Sequence, residues 1–209
     1  MAEVTSYIKI FVALMVLVNP IEGIPIFITN TRNLTREQKI SIAKKASIAV
    51  FIILIISLFL GKYLLELFGI GIPSFSVAGG IIIFLIAVNM VIGTSSGEKA
   101  IPNNPDQDEG DIAVVPLATP LLAGPGAISS LIVYGSRNNG LVEDIILSSI
   151  VILVAVTVWF ALKAATQLDK RLNATGIKVL TKISGLLVAA IAVELIISGL
   201  NQMIPSMAK

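Results

Sequence analysis

Three polar side chains interrupt long apolar runs of this chain: Glu22, Asn89 and Glu194. A carboxylate left charged in hydrocarbon costs at least ~2.5 kcal/mol, so each glutamate must be protonated, paired or in contact with water. Such a group suits two tasks, carrying a proton or pairing with the ammonium of a substrate. Glu22 is the leading candidate for both and Glu194 the second. Asn89 is a secondary candidate, because it occupies the place in the first half of the chain that Glu194 occupies in the second. Histidine and cysteine are absent, which excludes disulfides, imidazole or thiolate metal ligands and histidine-dependent triads. Ser129 and Ser130 have no visible general base, so no catalytic residue, metal or cofactor is expected and the chain does not read as an enzyme.

Glu22 lies within a helix-breaking motif that occurs twice. The first copy is Asn19-Pro20-Ile21-Glu22-Gly23-Ile24-Pro25 and the second Thr119-Pro120-Leu121-Leu122-Ala123-Gly124-Pro125-Gly126, with Pro20 answering to Pro120 and Pro25 to Pro125. Two prolines five apart with glycine between them are expected to break an α-helix outright, since proline lacks a backbone donor and clashes with the preceding turn. A break leaves unpaired carbonyls on one side and unpaired N–H groups on the other, and lipid can satisfy neither. Exposed N–H ends favour a carboxylate and exposed carbonyl ends an ammonium or cation, so two facing breaks suit a zwitterion. Gly23, Ala123, Gly124 and Gly126 would let a small ligand approach the backbone. The substrate-binding candidates are therefore Asn19, Pro20, Ile21, Glu22, Gly23 and Pro25 from the first motif, with Thr119, Pro120, Leu122, Ala123, Gly124, Pro125 and Gly126 from the second.

The elements that must hold these residues are membrane helices. The 209 residues are 56% hydrophobic and 13% charged with a mean hydropathy of +0.94, against about 25% charged in soluble domains. Six apolar stretches, roughly 7–29, 45–67, 74–95, 112–135, 142–163 and 182–203, each approach the ~20 residues needed to cross hydrocarbon. Glu3 stands where a cleavable signal would carry basic residues, so the first stretch is expected to remain as a helix. Asn33 to Gln38 contains a capping box, Thr35 with Gln38, that opens the lead into the second stretch. Lys62, Glu66 and Tyr63 are expected at one interface and Trp159 with Lys163 at the other.

The distribution of lysine and arginine sets an orientation. Eleven basic residues flank the loops after stretches 1, 3 and 5, and four (Lys9, Lys62, Arg137 and Lys209) lie on the other side, so those loops are expected in the cytoplasm and both termini outside. Residues 98–111, acidic and rich in proline and asparagine, read as a cytoplasmic linker between two halves. Gly80 with Asn89 in the third stretch matches Gly185 with Glu194 in the sixth. The fold expected is thus an all-α polytopic membrane protein. Residues 1–97 and 112–209 would form two inverted three-helix repeats, with helices 1 and 4 broken, an arrangement associated with secondary transporters.

The strings from Asn19 to Phe27 and from Pro116 to Ile128 resemble the two signature motifs of the MarC family of integral membrane proteins, which includes archaeal SnatA-type small neutral amino acid transporters. The resemblance covers essentially the whole chain. It implies a multi-pass protein of the inner or plasma membrane that moves glycine, alanine and similar zwitterions, driven by the proton gradient. Bacterial members commonly carry glycine or another small residue where this chain has Glu22. The partners implied are the small substrate, protons and membrane lipids, with no nucleic acid; the oligomeric state is not implied. A small-solute or ion channel, or an exporter of another small metabolite, would use the same helix ends.

Overall fold

The computed structural model describes residues 2–93, 122–136, 140–168 and 174–204. The linker 98–111, the expected first half of the fourth stretch, Thr119 and Pro120 lie outside the described residues. Among the described residues there are seven α-helices and no strand: α1 (Ala2–Val18), α2 (Pro20–Asn30), α3 (Arg36–Leu67), α4 (Ile72–Ile92), α5 (Pro125–Ser136), α6 (Leu141–Leu168) and α7 (Ala174–Met203). Four of them, α3, α4, α6 and α7, are long and apolar enough to cross a membrane. The α1–α2 pair makes a fifth candidate if its bend of 41° is counted within one span. α5 has 12 residues, about 18 Å of helix, and cannot cross hydrocarbon by itself.

Local sequence accounts for most of the boundaries. The box at the head of α3 forms as expected: Gln38 N–H donates to Thr35 Oγ1 at 3.3 Å, and Thr35 N–H donates to Gln38 Oε1 at 2.9 Å. α3 therefore starts at Arg36, nine residues before the apolar stretch, because the cap satisfies the first-turn donors while the chain is still polar. α4 ends at Gly93, whose φ of 87° only glycine adopts cheaply, and its N–H donates to the Asn89 carbonyl. At the ends of the spans, Lys62 Nζ lies 4.0 Å from Glu66 Oε1, and Lys163 Nζ sits 4.6 Å from the centre of the Trp159 ring, as snorkelling side chains should.

The apolar surface is turned outward. No more than 39% of any of the four spans is buried within the chain, and Leu85, Leu153 and Leu186 are each at least half exposed. Lipid tails solvate such faces, so close packing between helices has to come from small residues. α4 and α7 form the most extensive pair, and glycines bring them together. A Cβ on Gly80 would meet the Ala192 carbonyl at 2.9 Å and Ile196 Cγ1 at 2.6 Å; one on Gly185 would meet the Ala87 carbonyl at 3.2 Å and Val91 Cγ2 at 3.0 Å. Gly199 is seated on Pro73 and Val77, and Ser76 Oγ donates to the Leu195 carbonyl at 3.0 Å. The two helices therefore run antiparallel. Their contacts are also reciprocal, since each glycine rests against the residues 7 and 11 positions beyond the other. Around this pair, α3 packs on α5 and α6, α5 on α4, and α2 on α6.

Candidate functional site

The break in the first motif is narrower than its two prolines suggest. α1 closes with the Asn19 N–H donating to the Met15 carbonyl at 3.0 Å, and Asn19 then turns left-handed, with φ 42° and ψ 66°. It is the one non-glycine residue with positive φ among the described residues, and asparagine is the side-chain-bearing residue that tolerates this conformation best. α2 begins at the next residue. Pro20 occupies the first helical position, where its missing N–H removes a donor that would be unpaired in any case. Pro25 remains inside α2. The expected break of helix 1 is present but lies at Asn19–Pro20 alone; Pro25, expected to share in it, stands inside α2 without ending it. The backbone of Ile21, Glu22 and Gly23 forms the first turn of α2, whose N–H groups lack intrahelical acceptors.

The second motif likewise opens a helix on a proline, with no left-handed residue before it among the described residues. α5 opens on Pro125, and the Ile128 N–H returns to the Gly124 carbonyl at 3.2 Å. The two short helices thus start on prolines 105 residues apart, the separation of Gly80 and Gly185. Each is preceded three residues earlier by a leucine that reaches the other helix. Leu122, fully buried, comes so close to Gly23 that a Cβ there would lie 2.9 Å from its Cδ2. Leu17 Cδ2 would lie 3.5 Å from a Cβ on Gly126, and Ile83 of α4 2.9 Å from the same point. The structure therefore brings Asn19, Pro20, Gly23, Leu122, Ala123 and Gly126 into one buried cluster.

Leu17 and Ile83 are members of this cluster that the motif reading missed. The signal for Leu17 was present, since it precedes Pro20 by the interval at which Leu122 precedes Pro125. One turn further into α5, Ser129 packs on Gly79 of α4, and Ser130 Oγ is fully buried with no hydrogen-bond partner among the described residues. A buried hydroxyl left unpaired costs roughly 1–3 kcal/mol, which marks a polar position that a ligand or water can satisfy. The cluster therefore offers two helix N-termini, the carbonyl end of α1 and one vacant hydroxyl, closed off by two leucines.

Asn89 and Glu194 are elsewhere. Both are exposed on the α4–α7 pair. Glu194 lies in a groove of about 550 Å³ lined by Ala190, Val193, Ile197, Ser198, Asn201 and Gln202, and no described residue of either break lines it. Of the two acidic candidates, only Glu22 belongs by its backbone to the cluster.

The model of the MarC family of integral membrane proteins matches residues 4–204. The chain belongs to the MarC family. Relatives from distant lineages agree over nearly the whole MarC chain. It is 41% identical to the UPF0056 membrane protein YhcE of Escherichia coli, over 96% of this chain and 94% of that one. Identity is 35% to a UPF0056 membrane protein of Aquifex aeolicus, covering 95% and 94%, and 34% to one of Methanocaldococcus jannaschii, covering 95% and 98%. No solved structure matches the chain. As a MarC protein with several apolar helices, it is an integral membrane protein.

Proposed function

We propose that this chain is a secondary transporter of small neutral amino acids of the glycine and alanine type, coupled to protons and not enzymatic. In this reading it consists of two inverted three-helix repeats in the cell membrane, with both termini outside. The observation that carries the proposal is the cross-seating of the two breaks, Leu122 on Gly23 and Leu17 on Gly126. It supports a single site made from both halves, and the reciprocal contacts of Gly80 and Gly185 support the inverted pairing of those halves. In such a site the first-turn N–H groups of α2 and α5 take the substrate carboxylate and the carbonyl end of α1 takes the ammonium. The Ser130 hydroxyl supplies a further contact, and Glu22 is the proton site. Leu122, buried, and Leu17, partly buried, represent the closed state of an alternating-access cycle, and they must withdraw for substrate to enter.

Uptake of labelled glycine and alanine into liposomes holding the purified protein is the test, with and without an inward proton gradient. Saturable uptake, competed by unlabelled alanine and accelerated by acid outside, is expected. Absence of competed uptake overturns the amino acid assignment; uptake indifferent to the gradient overturns the coupling alone. Preloaded alanine should accelerate uptake by exchange, whereas a channel would show none. Glu22→Gln should abolish the dependence on the gradient while leaving exchange intact.

A further inference from the structure

Glu194 is placed where no membrane helix keeps an acid without a reason. The α7 residues that meet α4 include Gly185, Ala192, Leu195, Ile196 and Gly199, while Glu194 is exposed, as are Ala190, Ile197, Asn201 and Gln202. Ala192 is the middle residue of the apolar span Thr181–Met203. Glu194 is two residues further on, about 3 Å along the axis, where the hydrocarbon extends about 15 Å to either side. Lys62 and Glu66 are handled differently: they lie in the last turns of α3 and pair with each other. Glu194 has no such pair among the described residues, and a glutamate side chain is too short to snorkel from mid-span.

The surroundings of Glu194 are patterned. Ala190, Glu194, Ser198 and Gln202 recur every fourth residue and form one row along the helix. Gln202 Nε2 donates along this row to the Ser198 carbonyl at 3.1 Å and to Ser198 Oγ at 3.4 Å. Rows of this period are the ones that interdigitate when two helices cross. The small residues on either side of Glu194 allow a second backbone to come close, and the open groove along the row gives it room. The row holds donors and acceptors together, so it is complementary to itself. Lipid tails supply neither donors nor acceptors.

We propose that this face of α7 is the interface through which two copies of the chain pair in the membrane, about a two-fold axis along the membrane normal. Such an axis preserves depth. Each Glu194 then meets the Glu194 of a second copy at its own level, with that copy's Ser198 about one helical turn away. The pairing is independent of what the protein transports.

Because the chain has no cysteine, single thiols can be introduced without a background. In native membranes treated with oxidant, Ala190→Cys and Ser198→Cys should each give a covalent dimer, while Leu153→Cys, on the exposed face of α6, should stay monomeric. Monomer at both α7 positions, or equal cross-linking at residue 153, overturns the proposal. Modification of Ala190→Cys by a membrane-impermeant charged thiol reagent also overturns it, by showing that the groove holds water as part of a pathway through one copy. Energy transfer between labelled copies in bicelles provides the second measurement. Glu194→Leu, on an outward face where folding should survive, should raise the dissociation constant about 3- to 30-fold, the range of one or two intramembrane hydrogen bonds. Glu194→Gln should stay within about threefold of the parent, the low end of that range. An unchanged dissociation constant for Glu194→Leu overturns the proposal.

Discussion

The α4–α7 pair and the α2–α5 cluster are both made by residues seated on glycine, yet they are built for opposite purposes. In the pair, glycine faces backbone: Gly80 lies against the Ala192 carbonyl, Gly185 against the Ala87 carbonyl and Gly199 against the Pro73 carbonyl. Backbone of a packed helix has nowhere to move, so this contact is rigid. In the cluster, Gly23 and Gly126 face the ends of leucine and isoleucine side chains, which can change rotamer. The cluster also keeps features that the pair lacks: a left-handed asparagine and a buried hydroxyl with no partner among the described residues. Strain and unsatisfied polar groups persist where function needs them. The comparison separates a fixed scaffold from a part that can open.

Substitution can break this contrast. The largest effect is expected from Gly80→Leu, which drives a side chain into the Ala192 carbonyl and Ile196; a loss of about 3 kcal/mol or more should appear as collapse of the melting temperature in detergent. If Gly80→Leu is tolerated, the scaffold is not rigid. Next is Gly23→Ala, whose new methyl meets the Leu122 side chain, closest at Cδ2. Stability should fall by about 1 kcal/mol, while alanine uptake falls about tenfold, the rate equivalent of ~1.4 kcal/mol on the barrier. Adding Leu122→Ala should restore uptake by vacating that space, and uptake that stays low would separate Leu122 from the opening. Asn19→Ala should cost about 1–2 kcal/mol more than Asn19→Gly, because glycine adopts the left-handed conformation freely; thermal melts of the two isolate the backbone strain from the contribution of the buried side chain. The smallest effect is expected from Thr35→Ala, which removes the cap of α3 at about 1 kcal/mol and should leave substrate KM unchanged, as neither the pair nor the cluster includes it.

The lengths and ends of the elements were largely legible in the sequence because they depend on local chemistry. Thr35 with Gln38 announced the start of α3, and the apolar stretches announced α3, α4, α6 and α7. The breaks were legible as positions and less so as shapes. Pro25 was read as part of a rupture but sits within α2, because a helix can lose one donor when its neighbours pack around it. The motif pairing set Pro20 beside Pro120, whereas the described helix starts set Pro20 beside Pro125, at the spacing of Gly80 and Gly185. Depth was legible for Glu194 but facing was not, since hydropathy averages around a helix and takes no account of its neighbours.

The sequence by itself determined that this chain belongs in a membrane, where its helices lie along the chain, and that two proline motifs disturb them. Each of these depends on composition or on residues a few positions apart. Only the tertiary structure decided that Leu122 closes on Gly23 and Leu17 on Gly126, that Ser130 is buried with no partner among the described residues, and that no described residue of either break lines the groove of Glu194. Those outcomes depend on which face of each helix the small residues allow its neighbour to approach. That choice is made by close contact between segments distant in sequence, and lipid, which solvates every apolar face alike, leaves it to packing.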